Sequence, residues 1–431
     1  MGFLSVLAAA TPRYFKLLRS QYWDPEDLRD YVHSAIGQTL RAASRIPFYG
    51  QRFDGSLSAR DLDHLPILHR SEIGQLNQSV RSLFTEGNAF SSDSSSGSTG
   101  MPVEFLFDLS HQSGRFASRA RYMRENGWSP VQRSAWIIYL GSYMGSEDEK
   151  LIRSRFLFGA RFFSVPSDFG QLARQLRSFN PAFLYSYPAF LEALLNSLEE
   201  TGSRLPALRR VFTGAEVLDD HVRSRTKTVM GVDIADNYGS TEAFIAWQCP
   251  MGKYHINAEH VFVEIVDEDG RPVEPGTMGR VLVTTLENRL MPLVRYEIGD
   301  YAVPSRDRCK CGRTLPTIDR VIGRGINLFR LKGGKQLISP WLLMAALRDR
   351  LEVRQFQIVQ KEIDRFEVRF VSEKSLAQSG QDRLREDFAR ILGPDAYLTF
   401  ERVDEIRRTA SGKFMTTLSE VPPVSSGAAG S

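Results

Sequence analysis

Between Ser134 and Asp236 short apolar runs alternate with amphipathic stretches. Residues 135–140, 183–187, 211–213 and 232–235 read as buried strands, with helical patterns over 189–200 and 219–230 between them. Such alternation predicts a mostly parallel sheet covered by helices, because parallel neighbours need a crossover whose apolar stripe packs back on the sheet. The chain ahead of residue 90 is mostly helical in pattern, as over 25–43, and its first residues predict a short amphipathic helix packed on the body. From Val261 to Val303 the pattern turns to strands: 261–266 leads into the turn Asp267, Glu268, Asp269, Gly270, and 280–285 resumes. Further on, 356–359 and 365–371 flank a turn, followed by a polar helix over 381–392 and a last strand near 397–401. The expected fold class is α/β. A large N-terminal domain (1–323) carries mostly parallel sheets plus a strand-rich subdomain, and a small α+β domain follows (324–421). The Pro/Ser/Gly-rich tail, 422–431, is expected to be disordered.

A chain of 431 residues suits two or three cores rather than one. Its 55 basic and 51 acidic residues are dispersed, and no basic run interleaves with aromatics, so no nucleic-acid partner is expected. No apolar run approaches the roughly 20 residues a membrane-spanning helix needs. No basic residue precedes the first apolar stretch, and Val6 breaks the myristoylation pattern, so no signal peptide or lipid anchor is expected. Three cysteines are too few for a disulfide framework, and the expected location is the cytoplasm.

Those cysteines share one span with a histidine: Cys249, His255, Cys309 and Cys311. Thiolates and imidazole are preferred Zn²⁺ ligands, and four protein ligands close the tetrahedron without leaving a catalytic position. Buried free cysteines are the plainer alternative. Arg, Asp and Gly surround Cys309 and Cys311, which does not suit a core strand, and Gly312 permits a tight turn. A structural Zn²⁺ pinning the strand-rich subdomain is the expectation.

The stretch Ser91 to Pro102 holds the loop Ser95, Ser96, Gly97, Ser98, Thr99, Gly100. Small residues let backbone N–H groups turn toward an anion, and hydroxyls add donors, so such a loop can hold a phosphate chain or be a flexible linker. It is no Walker loop, lacking the Gly-Lys-Ser/Thr ending. Downstream stand Thr213-Gly214-Ala215-Glu216 and Asn237-Tyr238-Gly239-Ser240-Thr241-Glu242, each just after a predicted strand. Then come Arg295-Tyr296-Glu297-Ile298-Gly299-Asp300, Ile322-Gly323-Arg324, and Arg408-Thr409-Ala410-Ser411-Gly412-Lys413.

In this order and spacing the series resembles the adenylate-forming superfamily of acyl-CoA synthetases and adenylation domains. Within it, the chain is most similar to the phenylacetate–CoA ligase family and its capsular-polysaccharide-associated branch, from about Arg45 to Val421. The resemblance implies ATP-dependent activation of a small carboxylic acid as acyl-AMP, with transfer to coenzyme A, a carrier-protein phosphopantetheine or an amine. It implies that Ser95–Gly100 cradle the β- and γ-phosphates, that Gly214, Ala215 and Glu216 border the adenine, and that Tyr238, within Asn237–Ser240, lies against the base. Thr241 would meet the α-phosphate and Glu242 would hold Mg²⁺, a hard cation suited to oxygen ligands. Asp300 would accept from both ribose hydroxyls. Arg324 would sit at the domain junction. Lys413, on a mobile C-terminal lid, would bridge carboxylate and α-phosphate. Similar Cys/His sites occur in some members.

The chain departs from the family at Met101 and Pro102, where a lysine often follows the loop, and at Ile326 and Asn327, where the hinge usually carries aspartates. Residues 332–340 also differ from the phenylacetate ligases themselves. The acid pocket is expected from 139–144, 185–188 and 213–215. AMP transfer to a phenolic hydroxyl, and a non-catalytic nucleotide- or acyl-binding role, are the competing readings. An acyl-carrier protein and a second copy of the chain are the candidate macromolecular partners.

Overall fold

The computed structural model describes residues 2–50, 52–53, 59–83, 90–94, 103–138, 159–164, 169–218, 220–324, 329–330, 336–337, 355–372, 377–404, 406 and 417–421. The chain divides into two compact units, the first reaching Ile322 and the second running from Gly323.

In the first unit, β1 (Ser91–Ser94) pairs antiparallel with β2 (Glu104–Phe107). The main sheet begins with β3 (Ser134–Ile138), β4 (Ala160–Ser164), β5 (Phe183–Tyr185), β6 (Arg210–Thr213) and β7 (Ile234–Gly239), which pair in parallel in the order β4-β3-β5-β6-β7. Helices Phe169–Phe179, Pro188–Thr201 and Asp220–Met230 are the crossovers; leucines of the first two and Val222 of the third share a buried cluster with Leu184, Val211 and Ile234. At β8 (Phe244–Gln248) the pairing turns antiparallel and continues through β9 (Tyr254–Ile256). The sheet is completed by β10 (Val261–Val266), β11 (Gly279–Thr285), β12 (Tyr296–Pro304) and β13 (Thr317–Arg324).

The predicted strand-rich subdomain is thus not a separate sheet: its strands extend the parallel one, giving eleven strands in a single sheet among the described residues. Strands β1 and β4 were not expected. Ser91–Ser94 has no apolar pattern of its own and is a strand only because it pairs with Glu104–Phe107, whose Phe105, Leu106 and Phe107 are buried. In the second unit, β14 (Phe329–Arg330) pairs with β15 (Gln336–Leu337). A four-stranded sheet there combines β16 (Gln355–Glu362), β17 (Arg365–Val371), β18 (Tyr397–Arg402) and β19 (Thr417–Ser419) in the order β18-β17-β16-β19. Helix Gln378–Leu392 packs Leu384 and Phe388 with Ile358, Phe366 and Val368.

The N-terminal helix, Phe3–Ser20, lies on the body as expected, with Ala10 and Leu17 against Ala117 of helix Leu109–Glu125. A buried ion pair fastens it. Arg121 Nη1 and Nη2 donate to the two oxygens of Glu259 at 2.7 and 3.1 Å, Nη1 also to the Leu17 carbonyl, and the Ser20 hydroxyl donates to Glu259 at 2.6 Å. Burial pushes the Glu259 pKa up, but the Arg121 charge and the Arg121 and Ser20 hydrogen bonds outweigh it and hold it below the usual carboxylate range. Arg121→Met should therefore cost about 3–5 kcal/mol, because it strands a buried carboxylate. Chemical denaturation checks this, and pairing it with Glu259→Gln should restore much of the loss. Among the described residues no helix is long and apolar enough to cross a membrane.

Candidate functional site

The parallel strands end side by side, and their carboxyl edge is where α/β sheets place ligands. Strand β6 ends at Thr213 and runs directly into Gly214, Ala215 and Glu216. Asn237, Tyr238 and Gly239 are the last residues of β7, followed by Ser240, Thr241 and Glu242. These two motifs, far apart in sequence, leave neighbouring strands at the same edge. They approach closely: Asn237 Nδ2 donates to the Thr213 carbonyl at 2.5 Å, and a Cβ on Gly214 would stand 2.4 Å from Asn237 Nδ2. Only glycine fits there without displacing Asn237. The next residue, Ala215, holds φ +68°, a left-handed conformation that a Cβ disfavours and that concentrates at ligand-facing turns.

Asp300 lies on β12 and is brought to Tyr238, whose hydroxyl donates to its Oδ2 at 3.0 Å. The strand bearing Asp300 is anchored through Arg295, which donates to Glu264, to the Asp63, Leu65 and Gly270 carbonyls, and stands at φ +49°. Glu242 is buried, and its carboxylate hydrogen-bonds the Tyr296 hydroxyl. Burial drives the Tyr296 pKa above its ordinary value and Glu242 adds to this, whereas Arg70 opposes it. Arg115 Nη1 donates to the Thr241 carbonyl at 3.3 Å from helix Leu109–Glu125. A carboxylate offers oxygen ligands to a hard cation, so the residue type at Glu242 fits the expected Mg²⁺.

Of the predicted site residues, Gly214, Ala215, Glu216, Asn237, Tyr238, Gly239, Ser240, Thr241, Glu242 and Asp300 are within the first unit, and Arg324 is the last residue of β13. Ser95–Gly100 and Lys413 lie outside the described residues, as do 139–144 of the expected acid pocket. Beside Tyr185 the structure adds aromatic rings the pattern did not single out: Trp136 stacks on Tyr185 at 4.7 Å, and Phe162 lies 5.9 Å beyond. Tyr187 and Phe190 continue the row. Also passed over was Asp236, buried one position ahead of a motif. Burial pushes its carboxyl up to about 6 against hydrogen bonds from Thr213 and Tyr254. Burial at a single polar position leaves no mark in sequence.

The Cys/His set does converge. Cys249 Sγ lies 3.6 Å from Cys309 Sγ, Cys311 Sγ lies 3.3 Å from His255 Nε2, and all four ligand atoms fall within 4.8 Å of one another. Ligands about 2.3 Å (S) and 2.0–2.1 Å (N) from a tetrahedral Zn²⁺ stand about 3.4–3.8 Å apart, so the donor set fits the ion. Tight turns aim the sulfurs: Gly252 at φ +82° follows Cys249, and Gly312 at φ +84° follows Cys311. The cysteines are free, not disulfide-bonded.

Comparison with known proteins agrees with this geometry. Residues 152–287 match the AMP-binding enzyme family, and residues 332–420 match the CapK C-terminal domain. The phenylacetate-coenzyme A ligase of Thermus thermophilus is 28% identical over 239 residues, 52% of this chain and 53% of the relative. That of Escherichia coli is 27% identical over 251 residues, 56% of each. The chain thus aligns with about half the length of these curated relatives. A solved 2-hydroxyisobutyryl-CoA ligase, in the postadenylation state with an acyl-AMP, shares the fold at TM-score 0.66 and 19% identity, over 93% of both chains. In its thioesterification state the TM-score is 0.61 at 20% identity, again over 93% of both. The chain thus carries an AMP-binding enzyme segment followed by a CapK C-terminal domain, and over about half its length it is similar to phenylacetate-coenzyme A ligases.

Proposed function

We propose that the protein is an AMP-forming acid–thiol ligase. The observation that carries this reading is the pairing of Tyr238 with Asp300, 62 residues apart, at the edge where β6 and β7 deliver their motifs. Tyr238 offers a ring to the base, and the oriented Asp300 carboxylate has acceptors for both ribose hydroxyls. Glu216 and the small Gly214 and Ala215 border the adenine, and Thr241 donates to the α-phosphate. The substrate carboxylate oxygen attacks the α-phosphorus, an acyl–phosphate bond forms, and the bond to pyrophosphate breaks. The acceptor thiol of coenzyme A or a phosphopantetheine then attacks the acyl carbon, and AMP leaves. Glu242 would hold Mg²⁺, which would supply charge neutralisation at the phosphates; Cys249, His255, Cys309 and Cys311 would hold a structural Zn²⁺. Residues 324–421 act as the lid, with Arg324 at its junction and Lys413 on it, and Ser95–Gly100 hold the outer phosphates. The aromatic row from Trp136 to Phe190 lines the acid pocket and favours an apolar acid. A reduced, ATP-rich cytoplasm suits both the chemistry and the thiolates.

The test is pyrophosphate exchange with a library of carboxylic acids. Exchange that requires an acid supports the reading, whereas none with any acid but AMP transfer to phenols supports the other enzyme class. Asp300→Ala should raise the KM for ATP at least tenfold, since hydrogen bonds to a charged acceptor contribute about 1.5–3 kcal/mol each. Initial-rate kinetics over a range of ATP concentrations measure this.

A further inference from the structure

We propose that Asp236 is a positioning residue of the nucleotide site. Its carboxyl group sets the spacing of the β6 and β7 exits and is itself held by the hairpin that carries Cys249 and His255. The inference rests on the reading of those exits as the nucleotide-facing edge.

Asp236 is 3% exposed and binds in three directions. Its Oδ1 accepts from the Thr213 hydroxyl at 2.5 Å, and its Oδ2 accepts from the Tyr254 hydroxyl. Its backbone N–H donates to Gln248 Oε1 at 3.1 Å, and that oxygen also accepts from Arg223 Nη2 at 3.0 Å. Gln248 immediately precedes Cys249, and Tyr254 immediately precedes His255. The residues next to two ligands of the Cys/His cluster therefore both grip Asp236, one at its backbone and one at its side chain. On the other side Asp236 grips Thr213, the last residue of β6, while Asn237 holds the Thr213 carbonyl.

Burying a carboxyl group is costly, and an apolar residue of similar size would fill the space at less cost if packing were the only need. A carboxyl group has two acceptor oxygens on a planar fork, which lets it take one hydroxyl from β6 and another from β9 at fixed angles. The position so fixed is that of Gly214 and the left-handed Ala215, one and two residues past Thr213. Shifts well under an ångström there change how closely the backbone meets a planar ligand. Because the bound nucleotide is held alike before and during reaction, the effect belongs in KM rather than kcat.

The experiment compares full-length wild type with Tyr254→Phe, which removes one hydroxyl and keeps the ring, and with Asp236→Asn. ATP binding is measured by calorimetry, KM and kcat by pyrophosphate exchange, and zinc by elemental analysis. Both variants should weaken ATP binding and raise its KM roughly tenfold, with kcat within about twofold of wild type and metal content unchanged. Lys253→Met is the control. Lys253 lies on the same hairpin but donates to Ser305 and to the Asp307 carbonyl, away from Asp236, so its loss should lower the thermal midpoint without moving the ATP Kd. Should Asp236→Asn fail to fold, Tyr254→Phe decides alone. ATP affinity equal to wild type in Tyr254→Phe, or a fall in kcat and stability at unchanged Kd, overturns the proposal. Wild type that binds no ATP overturns the ligase reading and this inference together, a signature distinct from unaffected variants.

Discussion

Lys413→Ala is expected to slow acyl-adenylate formation on the order of 10²-fold or more while the protein stays folded and binds ATP. In the proposed reaction negative charge shifts from the carboxylate onto the α-phosphoryl oxygens. An ammonium placed between them stabilises the transition state more than the ground state. Lys413 follows Arg408-Thr409-Ala410-Ser411-Gly412, the segment whose resemblance to the family assigns it to the lid, and it lies outside the described residues. The second half-reaction should suffer much less. Supplying preformed acyl-AMP and following thioester formation by wild type and variant separates the two steps. Equal, severe loss in both would contradict a lid that turns between half-reactions and would fit a fixed lysine. The replacement of hinge aspartates by Ile326 and Asn327 gives that outcome its interest. Exchange activity unchanged by the substitution would refute the assignment.

The largest stability effect should come from the Cys/His cluster. Cys309→Ser should abolish stoichiometric zinc and lower stability by several kcal/mol, since binding to a preformed site contributes directly to folding free energy. Cys309 and Cys311 lie between β12 and β13, while Cys249 and His255 belong to the β8–β9 hairpin. A bound Zn²⁺ would therefore join segments about sixty residues apart, and its loss would free both. Elemental analysis of protein prepared without chelator, with thermal unfolding of both proteins, is the measurement. Wild type without zinc and with freely titratable thiols would sink the assignment.

Much of this architecture was legible because the relevant signals are local. Val261–Val266 and Arg365–Val371 have the expected bounds, since the first is a largely apolar run that ends at a turn and the second alternates polar and apolar residues after one. Helix Pro25–Ala43 was readable from its ends as well as its stripe: Asp24 accepts from the Glu26 N–H, and proline opens the first turn. The Cys/His set was visible because cysteine is scarce and Cys309 and Cys311 stand among charged residues. What escaped were properties of pairing and burial. Ala160–Ser164 is a strand through its parallel register with Ser134–Ile138, and nothing within those five residues marks it. The fusion of the parallel and antiparallel strands depends on β7 accepting β8 as its neighbour, which local pattern does not encode. Asp236 was hidden for a related reason, because an acidic residue ahead of a motif looks like any surface charge until its neighbours enclose it.

The junction between β7 and β8 limits how this chain can be cut. Parallel strands buried on both faces read as apolar runs, and β7 is one flank of such a set. A fragment ending after Gly239 would turn β7 into a bare edge, with a row of unpaired N–H and C=O groups beside buried residues such as Ile234 and Ala235. Edges of that kind template intermolecular pairing. A fragment carrying only the parallel strands should therefore aggregate rather than fold, so a stable truncation has to keep the eleven-stranded sheet whole.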